Sequence, residues 1–250
     1  MSTFERIRQR LSSVLAPGQP APDDVALGDE ADEALRTLVQ ADPNDVEAFA
    51  RLAKIVYRSA AEGREHIGDP EKAADDAVWA LAEELAHSPK AWYPLVEMAR
   101  LSIKDDREAA MRRLGTAAER DPSGRALAMG LRMLRETGHP AEALSLGVGH
   151  WRPTEHDPEA GRHIVAAAVE SGRTAEARRH LQALAQHPDR PAVDRHVEEL
   201  DRLIAEAERA RPAREREYER TGEMPRIVVD TREEKVGDDK SRPWRRPPKR

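Results

Sequence analysis

RDPSGRALAMGLRMLRETGHPAEALSLGVGHWRPTEHDPEAGRHIVAAAVESGRTAEARRHLQALAQHPDR, residues 120–190, carries the pattern that decides the fold. It alternates helix-forming stretches rich in Ala, Leu, Glu and Arg with short breakers. The breakers are RDPSG (120–124), HDPEA (156–160) and QHPDR (186–190). Between them, ETGHPAEA (136–143) and ESGRTAEA (170–177) place a glycine where one helix would turn into the next. After Pro158, Ile164, Ala167 and Ala168 fall on one helical face. Nothing in the stretch alternates with the period of a strand.

The pattern continues toward the N-terminus. ADPND (41–45) and HSPKAW (87–92) are further breakers, so prolines stand at 43, 89, 122, 158 and 188, at intervals of 46, 33, 36 and 30 residues. A repeat near 34 residues with one insertion is expected. Before the prolines, Ala recurs with Leu four residues later, as in Ala31–Leu35–Leu38, Ala110–Leu114–Ala117 and Ala177–Leu181–Leu184. After them come Phe49–Leu52–Ala53–Val56 and Leu95–Met98–Ala99. Small residues at fixed places let paired helices approach closely. Each proline is expected to end a second helix and stiffen the turn into the next unit.

Over roughly 29–188 the chain resembles the tetratricopeptide repeat family, on the period, the Ala/Leu spacing, the Asp-Pro breakers and the glycine turn. Phe49, Leu52, Ala53 and Val56 match most closely, and AEALSLGVGHWRP (141–153) departs most, since two glycines weaken its helix. The resemblance implies an all-α, right-handed α-solenoid of stacked antiparallel helix pairs. It implies no particular function. The expected organisation is an amphipathic helix at 1–15, a proline-rich linker at 16–28, the repeat domain at 29–219 with a capping helix at about 190–219, and a disordered basic tail at 220–250.

Composition narrows the function. Of 250 residues, 39% are hydrophobic, 35% charged and only 4% aromatic, so a thin, surface-rich architecture fits better than one large aromatic core. The absence of cysteine excludes disulfides, thiolate zinc or iron–sulfur sites and a cysteine nucleophile. A net charge of −6 disfavours bulk attraction to nucleic acid. No stretch is long and apolar enough for a membrane span, and the N-terminus does not read as a signal peptide, so the cytoplasm is the default location.

Catalytic constellations are missing. There is no phosphate-binding glycine loop, no GxSxG and no HExxH. His150, His156 and His163, then His180, His187 and His196, are not spaced to converge within one helix, so they read as structural or surface histidines. The carboxylate pairs Asp75–Asp76, Glu83–Glu84 and Asp105–Asp106 read as helix-start or solvent-face charges. No enzyme activity, cofactor, metal or small-molecule substrate is expected.

The expected function is therefore a protein–protein interaction scaffold that holds a peptide or partner helix in a concave groove. By helical position the groove candidates are Arg51, Lys54 and Arg58, then Tyr93, Arg100 and Lys104, then Met129 and Met133, then Arg162 and Val165. The basic residues suit an acidic peptide or helix, although the chain's single asparagine, Asn44, makes a strict carboxylate clamp a poor match. Two alternatives use the termini. Arg242, Trp244, Arg245, Arg246, Lys249 and Arg250 could dock a tail on nucleic acid, the ribosome or an acidic surface. Phe4, Ile7, Leu11, Val14 and Leu15 form a stripe flanked by Arg6, Arg8 and Arg10 that suits a membrane surface, or packing on the body of the protein.

Overall fold

In a computed structural model, residues 24–62 and 69–221 are described, and all their regular structure is helical. The helices are α1 (Asp24–Ala41), α2 (Val46–Glu62), α3 (Pro70–Ala86), α4 (Tyr93–Ser102), α5 (Arg107–Arg120), α6 (Arg125–Glu136), α7 (Pro140–His150), α8 (Pro158–Glu170), α9 (Thr174–Leu184) and α10 (Arg190–Thr221). They fall into two compact units, the described residues up to Leu101 and those from Ser102, where the sequence reads as one run. Helix α1 starts at Asp24, inside the stretch expected to be linker. The last proline of that stretch is Pro22, and nothing after it bars a helix. The N-terminal stripe at 4–15 and the tail residues Arg242 to Arg250 lie outside the described residues.

Pro43, Pro89, Pro122 and Pro188 stand in the turns just after α1, α3, α5 and α9, as expected, but Pro158 departs from the expectation: like Pro70 and Pro140, it is the first residue of a helix. The fixed φ of proline suits that position, and its missing N–H had no intrahelical partner there. Where an aspartate precedes, it is the cap: Asp69 accepts from the Glu71 N–H and Asp157 from the Glu159 N–H, each at 3.0 Å. The glycine turns behave as expected. Gly138 and Gly172 have φ of 85° and 74°, a left-handed conformation that closes α6 and α8. The His139 N–H donates to the Leu134 carbonyl and the Arg173 N–H to the Ala168 carbonyl, both at 2.8 Å.

In the first unit, α2 packs on both α1 and α3. Phe49, Leu52 and Ala53 are fully buried on its inner face. The chain's one asparagine joins two of the breakers. Asn44 Oδ1 accepts from the Trp92 N–H at 2.7 Å and the Tyr93 N–H at 3.0 Å, while its Nδ2 donates to the Lys90 carbonyl at 2.8 Å. A side chain from the turn after α1 thus satisfies the first N–H groups of α4. The Tyr93 ring lies edge-on to Phe49, with centroids 5.2 Å apart.

In the second unit each hairpin touches the next. α6 pairs with α7 and α8 with α9, while α6 contacts α8, α8 contacts α10 and α5 contacts α7. The starts of α6, α8 and α10, at residues 125, 158 and 190, lie 33 and 32 residues apart. Here too, successive breakers meet: the Asp157 N–H donates to the Ser123 carbonyl at 2.7 Å. Helix α8 is central, and every residue from Ala160 to Val169 is buried. Close approach rests on small residues. A Cβ on Gly147 of α7 would lie 2.5 Å from Ile164 Cγ1, and one on Gly161 of α8 would lie 2.8 Å from both Leu184 and the Trp151 ring. The two glycines expected to weaken α7 therefore sit in an intact helix, and Gly147 is what lets it reach α8.

Candidate functional site

The groove candidates separate into two groups. On α2, Arg51, Lys54 and Arg58 share one stripe with Glu47, opposite the buried stripe of Phe49, Leu52 and Ala53. Lys54 and Arg58 are exposed, and Arg51 is half-buried and paired with Glu47 one turn earlier. Lys104 is exposed in the turn after α4. On α6, Met129 and Met133 are half-buried on the outward face, next to an Arg132–Glu136 ion pair at 3.0 Å. These residues remain available to a partner.

Three candidates are buried, and a fourth, Arg100, is tied to a buried carboxylate. Tyr93 is buried, and its hydroxyl is hydrogen-bonded to Glu97. Burial and the Glu97 charge push the phenol far above its usual value. Glu97 is itself buried and accepts from Arg100 Nε at 2.7 Å. Tyr93 and Arg100 are thus joined through a carboxylate in a structural triad, with Arg100 half-buried. Val165 is fully buried and Arg162 nearly so. The reason is the central position of α8: a helix flanked by four others has no side left to line a groove.

Arg162 belongs instead to an ionic cluster across α6, α8 and α10. Arg135 of α6 grips Glu170 of α8 with two parallel hydrogen bonds, Nε–Oε2 at 2.9 Å and Nη2–Oε1 at 2.8 Å. Its Nη1 donates to His163 Nδ1 at 2.7 Å. A guanidinium has no lone pair to offer, so Nδ1 is the acceptor, and His163 is neutral with its proton on Nε2. Arg162 Nε donates to Glu159 Oε2 at 2.8 Å, and His196 Nε2 of α10 lies 3.0 Å from Glu159 Oε1. Burial, reinforced by Arg162 and Arg135, holds His163 well below its usual pKa. Burial alone would raise Glu159, but the hydrogen bond from His196 and the charge of Arg162 outweigh it and bring the carboxyl down to about 2.

Sequence patterns do not reveal this cluster as a unit. They mark His163 as structural or surface, and they leave Arg135 and Glu170 looking like ordinary exposed charges. The one signal is that the pair is separated by 35 residues, close to one repeat, which places both near the C-terminal ends of the first helices of successive hairpins. Among the described residues, no three His, Asp or Glu side chains converge as a metal site, and no helix is long and apolar enough to cross a membrane. No family model, curated protein or solved structure matches the chain.

Proposed function

We propose that the chain is a non-enzymatic protein-interaction module, a tetratricopeptide-like stack of helix hairpins acting in the cytoplasm, whose ligand is an acidic peptide or acidic helix. The observation that carries this reading is the outward stripe of α2. It sets Arg51, Lys54 and Arg58 at i, i+3 and i+7 on the face opposite the core. Guanidinium and ammonium groups on one helix face suit a row of carboxylates, and most of their value lies in steering and specificity. The hairpin-to-hairpin contacts and the 33- and 32-residue spacing of the second unit support the repeat architecture.

The test is a fluorescence-anisotropy titration of the full chain with a labelled glutamate-rich helical peptide. Saturable binding is expected, weakened at least tenfold by the triple change Arg51→Glu, Lys54→Glu and Arg58→Glu, with an unaltered thermal melt. Equal binding by the triple variant refutes the reading. An RNA oligonucleotide and anionic vesicles are the comparison ligands, because the alternatives use residues 242–250 and 4–15. RNA binding through the tail would fall steeply with salt.

A further inference from the structure

The cluster around His163 has a property beyond holding helices together. It lies in the second unit and is independent of the basic stripe on α2. Around the ring stand three cations, Arg132 and Arg135 from α6 and Arg162 from its own helix. Each has a carboxylate: Glu136 for Arg132 at 3.0 Å, Glu170 for Arg135 at 2.8 Å, and Glu159 for Arg162 at 2.7 Å. Each of the three cations therefore already has a carboxylate while His163 is neutral. The carboxylate nearest the ring, Glu159, is 3.9 Å from Nε2 and already serves Arg162 and His196 of α10. The other two helices that flank α8 approach it through apolar contacts, Gly147 of α7 against Ile164 and Leu184 of α9 against Gly161.

We propose that His163 is a proton-sensitive joint: neutral, it accepts the Arg135 hydrogen bond and locks α6 to α8, and on protonation it releases Arg135 and loosens the second unit. Protonation places an N–H on Nδ1, directly against a guanidinium N–H 2.7 Å away. An accepted hydrogen bond becomes a repulsive contact, and a fourth cation enters a site whose three carboxylates are engaged. The Arg135 and His163 side chains are only 4% and 5% exposed, so water cannot screen the added charge. The folded state therefore resists the proton and the unfolded state takes it. The stability His163 contributes is present above its unfolded pKa, near 6.5, and is lost as pH falls below it. His196 of α10 also contacts Glu159, so the effect must be isolated at His163 itself.

The test compares the full chain with His163→Asn, whose side-chain oxygen can still accept from Arg135 near the Nδ1 position but does not titrate. Urea unfolding is followed at pH 7.5, 6.5 and 5.5. Between pH 7.5 and 5.5 the folded-to-unfolded ratio of the wild type is expected to fall about tenfold more than that of the variant, the linkage value for one histidine of ordinary unfolded pKa that stays neutral when folded. Parallel pH slopes overturn the proposal. Should the variant fail to fold, the ring Cε1–H resonance of His163 in the wild type decides. It is expected not to titrate above pH 5.5 in the folded state, and titration near pH 6.5 overturns the proposal.

Discussion

Two glycines two residues apart on α7 should respond to alanine with opposite signs. A Cβ on Gly147 would sit 2.5 Å from Ile164 Cγ1, 3.0 Å from its Cδ1 and 3.4 Å from Leu131 Cδ2. Ile164 and Leu131 are both fully buried, and Cγ1 is close to the backbone, so neither side chain can swing away. Overpacking of this kind costs about 1–3 kcal/mol. Alanine returns up to ~1 kcal/mol of helix propensity, less near a helix end. The net for Gly147→Ala is a loss of about 1–2 kcal/mol. A Cβ on Gly149 would meet nothing within 4 Å. Gly149→Ala therefore keeps only the propensity term, a gain of about 0.5–1 kcal/mol. At roughly 2–4 °C per kcal/mol, the two variants should melt some 5–10 °C apart, on either side of wild type. Calorimetry of the full chain gives the answer, with the transition of the second unit followed separately should the two units unfold apart. Shifts of the same sign, or a stabilised Gly147→Ala, would show that α7 does not approach α8 as closely as described.

Other perturbations reach different parts of the molecule. Leu114→Ala, a fully buried side chain packed over Gly130, should cost about 2–5 kcal/mol in chemical denaturation; wild-type stability would mean α5 does not dock there. Asn44→Ala removes the acceptor of two α4 N–H groups and should cost about 1–3 kcal/mol, seen as faster amide exchange at Trp92 and Tyr93; unchanged exchange would place those groups on another partner. Arg135→Met strands the largely buried Glu170 carboxylate and should cost about 3–5 kcal/mol, most of it recovered when Glu170→Met is added; additive losses would show that the pair is not coupled. Glu159 is depressed to about 2, so its contribution is present above pH 4.5 and lost as pH falls toward 2. Glu159→Gln should flatten the acid limb of the stability profile in that window, and an unchanged limb would contradict the His196 and Arg162 contacts.

Much of the fold is legible in the residues because the signals are local. Helix periodicity, Asp caps and glycine turns act within a few residues, so each stretch announces its own helix without help from distant neighbours. ETGHP and ESGRT specify their turns in this way, and Gly138 and Gly172 take up the left-handed conformation the sequence calls for. The prolines are ambiguous for a related reason: Asp-Pro marks a boundary, and the same pair can close one helix or open the next.

The site was less legible. Arg51, Lys54 and Arg58 share a face by helical spacing alone, and that much is fixed by the chain. Whether Arg162 and Val165 face solvent depends on how many helices surround α8, which no local pattern states. Tyr93 and Arg162 look alike in sequence to exposed groove residues, yet one is bound to Glu97 and the other to Glu159, each three or four residues along its own helix. Asn44 gives no sequence sign that it caps a helix 48 residues away. Composition and periodicity thus determined that this chain forms helices in pairs; tertiary packing alone decided which charges are buried together, because burial and partner choice depend on contacts between segments far apart in sequence.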